Sequence, residues 1–320
     1  MFGVAARVSH PLREGRFPMH SDKHLHPPVP ARAGDTAARD TAVPDENAVW
    51  PAQEFLAIEL RSVRERLRSL HKQEQARTRV ALAQGLLMGR YQLPDADAAF
   101  TLMREASQRF NIKLHQIAAA LTTASAPPSA TRQWFPGRGQ ATPPSLPGLG
   151  AGHLDPKNQG QVLSAALERV MDVAGAQFGN AQLREADVLR MEKHRAHSQA
   201  FTDYFAFVED GTSCHRAAEA ARQVTVRDVA VTEVFDDETR QVILDSGSRA
   251  AHSVPLTGGD GIVRGVISSH HARPLTGFRP AQLAELERLQ YVVGGWLQWH
   301  NRTVVLDALE HVHQNASRTT

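Results

Sequence analysis

The stretch RVALAQGLLMGRYQLPDADAAFTLMREASQRFNIKLHQIAAALTTA (Arg79–Ala124) decides the reading of this chain. Val80, Ala83, Leu87 and Tyr91 recur at the spacing of one buried helical stripe. Pro94 stops that helix, because it has no N–H to continue the ladder. Asp95 then stands where an N-cap is needed. Ala99, Met103, Ala106 and Phe110 form a second stripe, and Asn111-Ile112 turns the chain. Leu114, Ile117, Ala118 and Leu121 form a third. Three such stripes close one small core, so the spacing predicts a three-helix module.

The surface of this module suits a polyanion. Arg77, Arg79, Arg90, Arg104, Arg109 and Lys113 surround it and are able to neutralise phosphates. Gln84 donates and accepts, as a base edge requires. Ala81, Ala83 and Gly85 lower the helix surface for close approach. Gly85 costs about 1 kcal/mol of helix propensity against alanine, which either an approaching backbone or tight helix packing would offset. The candidate nucleic-acid contacts are Arg77, Arg79, Ala83, Gln84, Gly85, Arg90, Arg104 and Lys113.

Working outward, Leu56, Leu60, Val63, Leu67 and Leu70 alternate by four and three. This is a coiled-coil seam of about two heptads and predicts a homodimer. Residues 1–48 lack apolar periodicity and are expected to be a disordered tail. Their His20, His24 and His26 are read as solvated. Residues 51–124 form the helical module. Residues 125–157 are rich in proline and glycine and read as a linker. Trp134 and Phe135 interrupt it and are taken as incidental.

Residues 158–302 read as a mixed α/β domain, giving an α+β chain overall. Helices are expected at Gln161–Ala174, Ser213–Arg222 and from Pro280 to about Asn301. Short apolar runs at Val224–Val229, Ala250–Leu256 and Ile262–Ser268 read as strands, the last two as a hairpin with a five-residue loop. Residues 303–320 are expected to be a C-terminal tail.

Charge separates the two halves. Residues 51–124 carry 11 Lys and Arg against 7 Asp and Glu, net +4, while residues 158–302 carry 15 against 18, net −3. That asymmetry points to a basic polyanion-binding half beside a half with another task. The single cysteine, Cys214, excludes an internal disulfide and a cysteine-rich zinc site. It is read as buried and structural rather than redox-active. His270-His271 are read as hydrogen-bonded, and Asp236, Asp237 and Glu238 as a solvated turn. No P-loop, dinucleotide or Ser/His/Asp pattern is present, and no metal or cofactor motif. The chain is expected to be no enzyme. With no secretory h-region and no membrane-length apolar run, it is expected in the cytoplasm and off the membrane.

The three helical blocks resemble the ANTAR module, an RNA-binding domain of bacterial transcription antitermination regulators. They are Ala83-Gln84-Gly85-Leu86-Leu87-Met88-Gly89-Arg90, then Ala99-Phe100-Thr101-Leu102-Met103-Arg104-Glu105-Ala106-Ser107, then Asn111-Ile112-Lys113-Leu114-His115-Gln116-Ile117-Ala118. The match covers about one seventh of the chain, in three blocks in order. The resemblance implies a dimer that binds paired RNA hairpin loops in a nascent leader and prevents a terminator from forming.

Residues 158–302 resemble a GAF domain. The likeness rests on Gly179–Leu183, Asp210–Cys214, Val224–Val229, Ser253–Leu256 and Gly265–Ser268. It implies a sensor for an unidentified small molecule or protein signal, here placed after the RNA-binding module. Two other readings stand beside this one. Helices joined by a tight turn also suit a DNA-binding helix-turn-helix, and a coiled coil with a sensor domain also suits a signalling scaffold.

Overall fold

The computed structural model describes residues 56, 59, 60, 63, 77–128, 131–139, 141–150 and 154–319. The described residues fall in one compact unit, Gln53–Thr320. The N-terminal tail, including His20, His24 and His26, lies outside them, as do Leu67 and Leu70 of the seam. Leu56, Leu60 and Val63 are helical and exposed.

Three helices form where the stripes place them. Helix α1 covers residues 77–91, α2 is Ala96–Phe110 and α3 is Leu114–Thr123. The Asp95 side chain accepts from the Ala98 amide at 2.8 Å, capping α2. Asn111 ends α2 in the left-handed region at φ 52°. Ala83, Leu87, Tyr91, Ala99, Met103, Ala106, Ile117, Ala118 and Leu121 are buried together.

The core they share is larger than three helices. Residues after 302, expected to be a tail, form helix α9, Leu306–Thr319. Its Ala308, Leu309, Val312 and Ala316 are buried in the same cluster. The Tyr91 hydroxyl meets His313 Nδ1 at 2.8 Å. The periodicity of α9 is masked by a π-helical turn, Asn301–Val305, which joins it to α8, Pro280–His300. A π turn widens the helix and shifts the apolar stripe out of phase.

The proline-rich segment is also packed rather than free. Trp134 and Leu149 are buried in the main core. Glu310 of α9 accepts from the backbone amides of Trp134 and Phe135 at 2.9 and 3.2 Å. Trp299 of α8 donates to Ala141 O at 2.8 Å, and Trp296 to Pro156 O at 2.8 Å. A chain without a regular ladder satisfies its carbonyls on indole N–H groups instead.

The C-terminal half is a six-stranded antiparallel sheet in the order β3-β2-β1-β6-β5-β4. The strands are β1 Phe178–Glu185, β2 Val188–Arg195, β3 Phe207–Val208, β4 Val224–Val226, β5 Ala250–Thr257 and β6 Val263–His271. β5 and β6 form the expected hairpin, with Thr257 opposite Val263 across a five-residue loop. Strand alternation separates two faces. Ile267 joins the cluster shared with α8 and with α4, Gln159–Ala174. Val266 joins a second cluster with α5 Gln199–Tyr204, α6 Ser213–Ala220 and α7 Asp237–Asp245. β1 and β2 had no expectation, because Gln182, Arg184, Arg190 and Lys193 hide their alternation. Among the described residues no helix is long and apolar enough to cross a membrane.

Candidate nucleic-acid interface

The eight candidate contacts differ in their surroundings. Ala83 is fully buried in the helical core, so its smallness serves packing and leaves it unable to touch a ligand. Gly85 is exposed, and a Cβ placed there would meet nothing within 4 Å. Among the described residues, none packs tightly against Gly85. Gly89, one turn on, is equally open, and the two make a smooth strip on α1. Beside them the Gln84 amide donates to Ala96 O at 2.8 Å, which leaves its side-chain oxygen for another donor.

Arg77 and Arg104 are exposed. Arg90 lies over the Trp134 ring, its guanidinium carbon 4.9 Å from the centroid. Such a cation–π contact covers one face of the guanidinium and leaves its edge able to donate.

Arg79 and Lys113 have a different fate. Arg79 pairs with Glu185, the last residue of β1. Lys113 donates to Glu192 Oε2 of β2 at 2.5 Å. His115, on the first turn of α3, lies between the two glutamates. The Glu192 side chain is only 2% exposed, whereas that of Lys113 is 52% exposed. Burial pushes the Glu185 carboxyl up, but His115, Arg190 and Arg79 together hold it below the usual carboxylate range. Two basic groups of the helical module are thus matched to two carboxylates of the sheet. His115, Glu185 and Glu192 escaped the sequence reading, since residues 115, 185 and 192 share no motif.

The sheet carries a cleft on its α5–α7 face, where Asn180, Gln182, Thr212, Cys214, Ser268 and His270 line it among phenylalanines. Cys214 is buried, its sulfur 3.0 Å from Thr212 Oγ1, and burial raises its thiol pKa. His270 contacts Ser248 Oγ at 3.1 Å and Asn180 Oδ1 at 3.2 Å. Burial keeps it neutral, with its pKa well below the ordinary value. Asp236 caps α7 by accepting from the Thr239 amide at 2.7 Å, and Asp237 pairs with Arg240 at 2.5 Å. These acids start a helix rather than face one another as a catalytic pair.

Two family matches support a regulator with a sensor domain. The ANTAR domain family matches residues 68–121 and the GAF domain family matches residues 158–294. The chain carries an ANTAR domain followed by a GAF domain. No curated protein matches it. Solved structures similar to its C-terminal half include a GAF domain/HD domain protein from Geobacter sulfurreducens, 10% identical over 43% of this chain and 91% of that one, TM-score 0.38. A type II free methionine-R-sulfoxide reductase from Thermoplasma acidophilum is 14% identical over 45% and 96%, TM-score 0.36. An NreA protein from Staphylococcus aureus, mutated in its nitrate binding site, is 14% identical over 39% and 94%, TM-score 0.33. At such scores neither ligand nor activity transfers.

Proposed function

We propose that this protein is an RNA-binding transcription antitermination regulator that engages paired hairpin loops in a nascent leader under control of its GAF domain. The observation that carries the reading is the open strip at Gly85 and Gly89 on α1, within the matched ANTAR domain. A nucleotide base or backbone has room to reach the helix there. Arg77 and Arg104 supply exposed charge, with Arg90 and Gln84 beside the strip. Loop bases are unstacked and readable, unlike those in the narrow A-form major groove.

The proposed working unit is a homodimer, its seam begun by Leu56, Leu60 and Val63 and continued by Leu67 and Leu70. Two loop contacts joined in one dimer gain affinity through effective concentration. Control is proposed to act on Arg79 and Lys113. While Glu185 and Glu192 hold them, they are withheld from phosphates, and a signal that loosens this contact would release both.

The test is a gel shift of the full chain at fixed salt with two-hairpin RNA, one-hairpin RNA and matched duplex DNA. Selective binding to the two-hairpin RNA supports the proposal. A preference for duplex DNA would replace it with a helix-turn-helix reading, and binding to neither would leave the scaffold reading.

A further inference from the structure

We infer that His115, Glu185 and Glu192 form a binding site for a divalent transition-metal ion, of the class of zinc, where the ANTAR domain meets the GAF sheet. The site rests on this contact and not on the RNA-binding reading.

The three residues come from three elements: the first turn of α3, the end of β1 and the middle of β2. One nitrogen of His115 and one oxygen from each glutamate all lie within 4.8 Å of one another. Glu192 is aimed there by an irregularity in the sheet. Ala181 pairs with Lys193 and Gln182 with Met191, so Glu192 is the extra residue of a β-bulge. A bulge re-aims a side chain and recurs beside functional sites.

The inner atoms, Glu185 Oε1, Glu192 Oε1 and both ring nitrogens of His115, are buried and face one another, and of these contacts only His115 with Glu185 is close enough for a hydrogen bond. His115 Nδ1 is 2.8 Å from Glu185 Oε1, and Nε2 is 3.4 Å from Glu192 Oε1. One ion takes a single nitrogen of His115, with one oxygen from each glutamate, and these three lie within 4.8 Å of one another. Ligands about 2.0–2.2 Å from one ion lie roughly 2.9–3.5 Å apart, so the trio would draw in slightly around it. Burying polar atoms without full pairing carries a desolvation cost, which an ion would lower for the atoms it binds.

The outer oxygens are already held. Arg79 binds Glu185 Oε2 and Lys113 binds Glu192 Oε2. Arg79, the less exposed of the two, orients the Glu185 carboxylate as an outer partner of a ligand does. An imidazole nitrogen with carboxylate oxygens selects zinc-like ions over magnesium and calcium, which take oxygen alone. A cavity of about 110 Å³ beside Asn111, Lys113, Asn158 and Lys193 reaches Glu192. Arg79, Lys113 and Arg190 oppose the ion by charge. Lys113 is the one most free to turn to solvent, so its ammonium competes with the metal for Glu192.

The experiment is isothermal titration and thermal unfolding of the full chain, stripped with chelator, against zinc chloride and against magnesium chloride. The expected result is one zinc equivalent with a raised Tm, and no magnesium response. His115→Ala and Glu192→Gln should each weaken that zinc site at least tenfold, and Lys113→Met should tighten it. Glu192→Gln keeps the side-chain shape, so it remains readable if His115→Ala fails to fold. Zinc binding unchanged in the variants would belong to other histidines, such as His20, His24 and His26, and would overturn the site. So would an absence of stoichiometric binding.

Discussion

Gly294 and Gly295 are neighbours on α8, and alanine should have opposite effects at the two. A Cβ on Gly294 would overlap the backbone nitrogen, carbon and oxygen of Thr257 in β5. A Cβ on Gly295 would meet nothing within 4 Å. Carbon contacts settle near 3.5–4.0 Å, so α8 would have to retreat by about 1 Å at Gly294. The helix has no slack for this, because Leu289, Val293, Trp296 and Leu297 are buried around that position. Overpacking of this kind costs about 1–3 kcal/mol, and the obstacle here is backbone, which places Gly294→Ala toward the upper end. The substitution regains about 1 kcal/mol of helix propensity. The expected net loss is about 2 kcal/mol for Gly294→Ala, against a gain of about 0.5–1 kcal/mol for Gly295→Ala. Urea denaturation followed by helix ellipticity reads both, with equal m values showing that stability alone has changed. If Gly294→Ala matched Gly295→Ala in midpoint, the close approach of α8 to β5 would be refuted.

Leu309→Ala should cost about 2–5 kcal/mol by opening a cavity in the helical core, and a change under 1 kcal/mol in the same denaturation would mean that α9 does not pack there. The double variant Glu185→Gln/Glu192→Gln should bind two-hairpin RNA more tightly, with a steeper salt dependence as Arg79 and Lys113 become free for phosphates. Unchanged affinity and slope would sink the control proposed for that contact. Burial draws the folded pKa values of His197, His252 and His300 down to about 4. Below about pH 6.5 the unfolded chain then binds protons that the folded chain does not, so stability should fall steadily from pH 6.5 toward pH 4. Urea midpoints at pH 7, 6 and 5 check this, and a constant midpoint would show those histidines to be exposed.

How far the sequence speaks depends on the range of the interaction. Stripes, caps and turns act within one or two helical turns, and they determined α1, α2, α3, α4 and the β5–β6 hairpin from residues alone. Pro94, Asp95 and Asn111 set the breaks because their backbone chemistry is local. The basic ring around the module was also legible, since lysine and arginine declare their charge wherever they sit. What those charges face was not. Glu185 and Glu192 reach Arg79, Lys113 and His115 only after the sheet has formed and a bulge has turned Glu192 toward α3. Ala83 fitted both the buried stripe and a contact surface by its size, and packing decided for the stripe. The segment after residue 302 looked like a tail because a π turn broke the phase of its apolar stripe. The proline-rich stretch looked like a linker because its partners are indole groups and a glutamate from α8 and α9, far along the chain. Local backbone physics is written residue by residue, whereas burial and charge pairing are properties of surfaces that exist only once distant segments have met.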